Sequence, residues 1–141
     1  MSTFTGNGPG STVVDPQGRR APAAPPVSVH LQTSGPWQII VVDGEMDLQV
    51  LPLLPDLRGL VAARVVFDLH GVTFMDASAL GALVERRRWV TRSGGCMRLV
   101  AHSGPVLRLL VMTGTGGLFS TFDTLDRALH TPVPPGPDEA S

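Results

Sequence analysis

The chain has 141 residues, a length typical of one domain, and 43% of them are hydrophobic while 16% are charged. This composition supplies enough apolar side chains for a compact core and argues against a wholly disordered chain. The net charge of -1 gives no positive field for a nucleic-acid backbone, so we expect no nucleic-acid partner. No apolar run approaches the ~20 residues that span a bilayer, and no signal core opens the chain, so we expect a cytoplasmic protein without a membrane partner.

Proline marks both ends of the predicted domain. Five prolines lie in residues 1–26 and four in residues 131–141, which together hold nine of the thirteen in the chain. Both segments have few large apolar side chains that could offset the entropy of ordering. We therefore predict a flexible arm over residues 1–26, a domain over residues 27–130 and a flexible tail over residues 131–141.

The first half of the predicted domain indicates two strands, a helix and a third strand. Apolar residues alternate over residues 27–33, and a turn at Gly35 leads into a second apolar run over residues 37–42, which predicts an antiparallel hairpin. Leucines and valines between residues 47 and 63 mostly share one helical face, and they predict a helix that starts late, near Pro52 or Pro55. The near-continuous apolar run over residues 64–69 predicts a central strand covered on both faces.

The second half continues the alternation of helices and strands. We predict a helix over residues 78–91, a strand over residues 97–101 and a helix that Ser103 caps and Gly114 ends. A short strand near residues 118–119 and a last helix over residues 123–130 complete the pattern. This order predicts an α/β fold, with a mixed β-sheet of about five strands and about four helices packed on it.

The segment over residues 68–81 joins the predicted central strand to the next helix through Asp76, Ala77 and Ser78. It resembles the phosphorylation-site segment of the STAS domains of bacterial anti-sigma factor antagonists, where Asp is followed by Ser, Ser or Thr, Gly, Leu and Gly. The family's phospho-accepting serine corresponds to Ala77 here, and Ser78 follows it. Further segments resemble other motifs of that family in the same order along the chain, at residues 44–47, 94–100, 103–110 and 118–129.

The resemblance implies a STAS fold and, as partner, an anti-sigma factor whose capture frees a sigma factor. In relatives that partner is often a serine/threonine kinase, which phosphorylates the antagonist and ends the binding. Because Ala77 replaces the acceptor serine and Ala79 replaces the family's glycine, we expect binding without the usual phosphorylation switch. The resemblance assigns Ala77 and Ser78 to the regulatory position. It assigns partner binding to Asp47, Asp76, Ala77, Ser78 and Ala79, in a monomer or weak homodimer.

The same residues also have a purely structural interpretation. Asp76 and Ser78 are common helix-capping residues, and Asp47 would cap the first predicted helix. The N–H groups and the dipole of a helix's first turn would favour a phosphate on Ser78. However, a shift of one residue turns a side chain by about 100 degrees on a helix, away from the family's acceptor position. Capping, partner binding and phosphorylation of Ser78 all stay open from the sequence.

Other motifs give no catalytic, cofactor or metal site. Residues 76–80 lack the flanking glycines of a nucleophile elbow, and residues 114–117 match neither a P-loop nor a dinucleotide fingerprint. The four histidines lack the spacing of zinc ligands, and Cys96 has no second cysteine for a disulfide. We therefore expect no enzyme activity, no cofactor and no metal.

Two other functions remain possible from the sequence. One is a STAS module that senses a nucleotide or another small molecule, and the other is a scaffold subunit of a signalling assembly. The arginine run over residues 86–88 is expected on the outer, solvated side of its helix, where it would be available to an acidic partner.

Overall fold

The computed structural model describes residues 27–102 and 104–133 with their side chains, and residues 2–5, 12–14 and 20–22 as backbone alone. The strands are β1 (Ser2–Thr5), β2 (Thr12–Val14), β3 (Arg20–Pro22), β4 (Ser28–Ser34), β5 (Trp37–Met46), β6 (Arg64–Met75), β7 (Cys96–Val100) and β8 (Ser120–Phe122). The α-helices are α1 (Ala77–Arg92), α2 (Pro105–Thr113) and α3 (Leu125–His130), and two 3-10 helices span Leu48–Leu53 and Gly116–Leu118.

Six strands form one mixed sheet in the order β1-β4-β5-β6-β7-β8. β4 and β5 make the predicted antiparallel hairpin, whereas β5, β6, β7 and β8 are parallel to one another. β1 pairs with the outer edge of β4, and β2 pairs with β3 as a separate ribbon. The predicted mixed α/β architecture is confirmed. The three strands in residues 1–26 were not predicted, because that segment was interpreted as a flexible arm.

The main core lies between one face of the sheet and α1, α2 and the first 3-10 helix. Phe67 of β6, Leu83 of α1 and Leu99 of β7 are completely buried there. Each such side chain contributes ~1.5–3 kcal/mol through its removal from water. A smaller apolar cluster on the opposite face includes Val66 and Val100 and packs against α3. β6 is therefore covered on both faces, as its apolar sequence predicted.

A buried arginine holds the end of α3 on this second face. The side chain of Arg98 is fully buried, and its guanidinium carbon lies 4.8 Å from the ring centroid of Trp37 and 5.1 Å from that of Phe122. The guanidinium donates hydrogen bonds of 2.7, 2.6 and 3.0 Å to the backbone carbonyls of Ala128, Thr131 and Pro132. The bond to Ala128 satisfies an acceptor that the helix end leaves unpaired, and the other two bonds hold the residues that follow α3. The last two carbonyls lie beyond residue 130, where the sequence placed the domain boundary.

The helix predicted between residues 47 and 63 is wrong. A 3-10 helix over Leu48–Leu53 contains Pro52, and no helix follows it up to residue 63. Pro52 and Pro55 lack the N–H groups that an α-helix would need, so the chain makes one short, tight helix and then continues irregularly. Leu54 and Leu57 are nevertheless buried, which explains why the apolar pattern resembled the inner side of a helix.

The irregular segment also explains why Arg86 is not on an outer surface. Arg86 is only 8% exposed, and it donates hydrogen bonds of 3.3 Å to the carbonyl of Pro55 and 3.3 Å to that of Ala82. Its guanidinium carbon lies 5.4 Å from the centroid of the Trp89 ring. The prediction of a solvated face is therefore wrong for this residue, whereas Arg88 is exposed.

Smaller differences concern where elements begin and end. β6 continues past Leu69 to Met75, and β8 begins at Ser120 rather than near residue 118. The cap expected at Ser103 lies outside the described residues. α2 begins at Pro105 and ends at Thr113, and Gly114, which was predicted to end it, is its C-cap. The φ of Gly114 is 70 degrees, in the left-handed region that a glycine at this position commonly adopts.

Candidate functional site

The ends of β5 and β6 bring the predicted site residues to one edge of the sheet. Met46 and Met75 are paired neighbours in the two strands, and the backbone N–H of Asp76 donates to the carbonyl of Met46 at 3.2 Å. Asp47 and Asp76 directly follow these paired residues. Two carboxylates that are distant in sequence therefore share this edge with the first turn of α1.

Asp76 caps α1. Its backbone is extended, and its carboxylate accepts a hydrogen bond of 2.9 Å from the backbone N–H of Ala79. Such a cap stabilises a helix by ~0.5–2 kcal/mol, and its negative charge interacts favourably with the helix dipole. Of the interpretations left open, capping is confirmed for Asp76, whereas Ser78 is the second residue of α1 and not its cap.

The next three residues divide between surface and core. Ala77 and Ser78 occupy the first two helical positions and are exposed, whereas Ala79 is completely buried. The capping atom at this junction belongs to Asp76, so Ser78 presents its hydroxyl at the surface. The family resemblance assigned Ala79 to partner binding, but its side chain packs in the main core.

Asp47 performs the same task at the neighbouring junction. Its carboxylate accepts a hydrogen bond of 2.9 Å from the backbone N–H of Gln49, and its carbonyl accepts one of 3.0 Å from Val50. The predicted capping role is confirmed, although the capped element is the 3-10 helix rather than an α-helix. Both aspartates are thus held in place by local hydrogen bonds.

Sequence reasoning missed two exposed apolar side chains at this edge. Leu48 follows Asp47 and is 62% exposed, and Phe74 is 47% exposed in the last part of β6. Leu48 was interpreted as part of the shared apolar face of a helix, and Phe74 was given no role. The alternation of side chains along a strand was the available signal, since Phe74 and the buried Met75 must point to opposite faces. We call the surface formed by Glu45, Asp47, Leu48, Phe74, Asp76 and residues 77–78 the β5–β6 edge.

A second polar cluster lies at the carboxyl ends of β7 and β8, beside the middle of β6, where the pairing of β6 with β7 ends. The buried carboxylate of Asp68 accepts a hydrogen bond of 3.2 Å from the backbone N–H of His70, and its Oδ1 lies 2.8 Å from Nδ1 of the same residue. This hydrogen bond, together with the negative charge of Asp68, raises the pKa of His70. His102 and Asp123 join the pair around an open crevice of about 470 Å³.

Two further features, a metal site and a membrane-spanning helix, are absent from the described residues. No group of three or more His, Cys, Asp or Glu side chains among these residues is placed to hold a metal ion. Within the same residues, no helix is both long and apolar enough to cross a membrane.

Comparison with known proteins identifies the family. A family model described as the STAS domain matches residues 28–128, which is most of the chain. The chain belongs to the STAS domain family. Among curated STAS relatives, an anti-sigma F factor antagonist of Paenibacillus polymyxa is 33% identical over 66 residues, which are 47% of this chain and 56% of that protein. The chain thus spans just over half the length of that curated relative.

Solved structures agree with the STAS assignment. An anti-sigma factor antagonist from Mycobacterium paratuberculosis superposes with a TM-score of 0.63 at 26% identity, over 73% of this chain and 91% of that one. The unphosphorylated form of the anti-sigma factor antagonist SpoIIAA gives a TM-score of 0.52 at 17% identity, over 72% of this chain and 93% of that one. At this lower identity the similarity shows the shared fold alone.

Proposed function

We propose that the protein is an anti-sigma factor antagonist that binds an anti-sigma factor through the β5–β6 edge and so frees a sigma factor. Three observations support this function: the membership of the STAS family, the naming of its relatives as antagonists, and the geometry of the edge. The observation that carries most weight is the hydrogen bond between Asp76 and Met46. It joins two segments that resemble separate motifs of the family into one exposed surface.

The proposal includes a partner interaction that lacks the usual phosphorylation switch. Ala77 stands at the first helical position, where the family carries its acceptor serine, and a methyl group cannot form a phosphoester. Ser78 is exposed, but the carboxylate of Asp76 already accepts the N–H of Ala79 in this turn. A phosphate on Ser78 would add ~1.5–2 negative charges beside that carboxylate. The first turn of α1 therefore offers little stabilisation for a second anion.

Three further features belong to the same proposal. The partner would be an anti-sigma factor, of the kinase type or not, met in the cytoplasm by a monomer or weak homodimer. The binding domain would be residues 27–130, extended by β1, which pairs with β4, and by the residues after α3 that Arg98 holds. Ala79 would act from the core, by setting the position of the first helical turn.

A binding assay with purified host anti-sigma factors tests this function. Each is immobilised and titrated with the full-length protein, and each pair is then incubated with ATP and magnesium for mass spectrometry. We expect one anti-sigma factor to bind and no phosphate to appear on the antagonist. Absence of binding to every anti-sigma factor of the host would overturn the proposed function. Stoichiometric phosphate on Ser78 with loss of binding would instead contradict the proposal that the interaction lacks a phosphorylation switch.

A second candidate function is the sensing of a small molecule, and the crevice beside His70 favours it. Its volume of about 470 Å³ is within the range of ligand sites, and it lies outside the carboxyl ends of parallel strands. A thermal-shift assay with ATP, GTP and lipids tests this candidate, with His70→Gln as the matched variant. A shift that the variant abolishes would favour sensing.

A further inference from the structure

The backbone geometry of the fold holds the side chains of Leu48 and Phe74 at the surface. Phe74 is paired with Glu45 across the two strands, while the next pair, Met46 and Met75, points to the opposite face and is buried. A register shift between Gly44 and Glu45 fixes this arrangement. Turning Phe74 inward would require the strand to slip by one residue and expose Met75.

Leu48 is fixed outward by a different device. It is the first residue of the 3-10 helix, and the hydrogen bond from Gln49 to the Asp47 carboxylate sets the direction in which this helix leaves β5. In the same helix Val50 is completely buried, so the helix already contributes to the core through another side chain. The exposure of Leu48 therefore persists in the folded domain.

Charge distinguishes the surroundings of Leu48 and Phe74 from those of Val111 and Met112, two other exposed apolar side chains. Residues 43–48 and 74–78 contain four carboxylates, Asp43, Glu45, Asp47 and Asp76, and neither segment contains an arginine or a lysine. Val111 and Met112 on α2 are also exposed, at 80% and 75%, but their helix carries Arg108 and no acidic residue. An apolar centre with a charged rim is the usual anatomy of a protein–protein interface.

We infer that the β5–β6 edge recognises a partner face in which an apolar groove is rimmed by arginine or lysine side chains. The inference rests on the proposed function and gives the chemistry of the anti-sigma factor's face. Leu48 and Phe74 enter the groove, while Glu45 and Asp47 meet the cations of its rim. An anti-sigma factor with an acidic or uniformly polar face is rejected, because it would leave carboxylates desolvated and unpaired.

Matched substitutions separate this surface from other exposed apolar groups. Leu48→Gln and Phe74→Thr should each raise the dissociation constant for the anti-sigma factor by ~10-fold or more, as the loss of a central apolar contact does. Val111→Gln and Met112→Gln are the controls, and we expect less than about a twofold change from them. Equal loss from both pairs, or loss from the α2 pair alone, would overturn the inference while binding itself remained.

Charge reversal tests the rim. Glu45→Arg should weaken binding and flatten its dependence on salt, whereas Glu85→Arg, at an exposed position of α1 away from the edge, should change neither. Thermal unfolding of each variant verifies that it is folded. Unchanged salt dependence in Glu45→Arg would show that the partner's face is not cationic.

A titration without the anti-sigma factor keeps the inference separate from the proposed function. An amphipathic leucine–lysine helical peptide is added to the ¹⁵N-labelled full-length protein at low salt, with a leucine–glutamate peptide as control. We expect amide shifts at residues 45–48 and 74–78 with the first peptide and none there with the second. Shifts elsewhere, or none at all, would overturn the inferred surface even if an anti-sigma factor binds. These shifts in a protein that binds no anti-sigma factor would overturn only the proposed function.

Discussion

The two halves of β6 differ in what they do for the molecule. Residues 64–68 pair with β5 on one side and β7 on the other and lie between two layers of apolar side chains. Residues 71–75 pair with β5 alone, and they carry the exposed Phe74 towards α1. One strand thus anchors the domain at its beginning and displays a surface at its end. The candidate binding surface is thus held in place by the core, because the segment that carries Phe74 continues a buried strand.

A register shift between β5 and β6 marks the junction between the two halves of β6. The register of β5 and β6 shifts between Val41 and Asp43, and Gly71 lies against Asp43 so closely that a Cβ atom there would collide with the carboxylate. A bulge bends and twists a strand locally. The end of β6 can therefore leave the plane of β7 without losing its pairing to β5.

Substituting the two phenylalanines of β6 gives the strongest test of this comparison. Phe67 is completely buried, so Phe67→Ala should lower the free energy of unfolding by ~3–5 kcal/mol through lost burial and a cavity. Phe74→Ala removes the same atoms from an exposed position and should cost less than about 1 kcal/mol. Urea unfolding of both variants measures the two values. Similar losses would show that the end of β6 is part of the core.

The second prediction extends the comparison to two arginines on the α3 side of the sheet. Arg98→Met should lower the free energy of unfolding by ~2–4 kcal/mol, since it leaves the buried carbonyl of Ala128 and the partly buried carbonyl of Thr131 without this donor. Arg127 pairs with Asp123 at the surface at 3.2 Å, and Arg127→Met should cost less than about 1 kcal/mol. The measurement is urea unfolding in the same buffer.

Truncation gives an independent check of the same anchor. A chain that ends at residue 133 should unfold like the full-length protein, whereas one that ends at residue 130 should lose stability with its two distal acceptors. Equal stability of the two chains would show that Arg98 needs only the carbonyl of Ala128.

The sequence predicted the buried half of β6 and much less of the exposed half. A continuous apolar run over residues 64–69 has one physical explanation, a covered central strand, and it was identified correctly. Residues 70–75 contain a glycine, a threonine and a histidine, so their strand depends on pairing with β5, which no local pattern reveals. Asp47 and Asp76 were predicted as caps because capping is local. The hydrogen bond that joins their segments is a tertiary contact, and only the structure shows it.

The arginine run illustrates the opposite error. Three consecutive charges predicted a solvated surface, but the segment around Pro55 forms no helix, and the carbonyl of Pro55 accepts a hydrogen bond from Arg86 of α1. The absence of a helix in this segment changed which face of α1 was covered. The run of charges therefore predicted an exposed side chain at Arg86, whereas Arg86 makes a structural contact.

The third prediction tests the first turn of α1 through binding. Ala77→Asp places a third carboxylate near Asp47 and Asp76, at a position that the docked partner covers. Because the inferred cations of the partner meet Glu45 and Asp47, the new carboxylate would lose its water without gaining a cation of its own. We expect the dissociation constant for the anti-sigma factor to rise about tenfold, with Ser78→Ala nearly unchanged as the matched control. Titration of immobilised anti-sigma factor measures both. A larger loss from Ser78→Ala than from Ala77→Asp would place the important contact at the hydroxyl.

The smallest expected effect is a pH dependence at the junction between the halves of β6. Asp68, whose carboxylate is bonded to His70, and the nearby Asp43 both favour the imidazolium, so the folded-state pKa of His70 lies above its ordinary value of 6.5. A raised folded-state pKa means that protonated His70 stabilises the fold. This contribution is fully present below pH 6.5 and is lost as the pH rises through the folded-state pKa. Because the His70 side chain is 58% exposed, solvent screens the pair and the effect is modest.

Comparison of wild type with His70→Gln measures this contribution. The difference in unfolding free energy between the two should be larger at about pH 5.5 than at about pH 8.5, because only the wild type gains a cation beside Asp68 at the lower pH. His102→Gln serves as the control, since it removes the other histidine of the crevice and leaves the Asp68 pair intact. A difference that is constant with pH, or that grows towards high pH, would show that His70 acts at this junction only as a neutral hydrogen-bonding group.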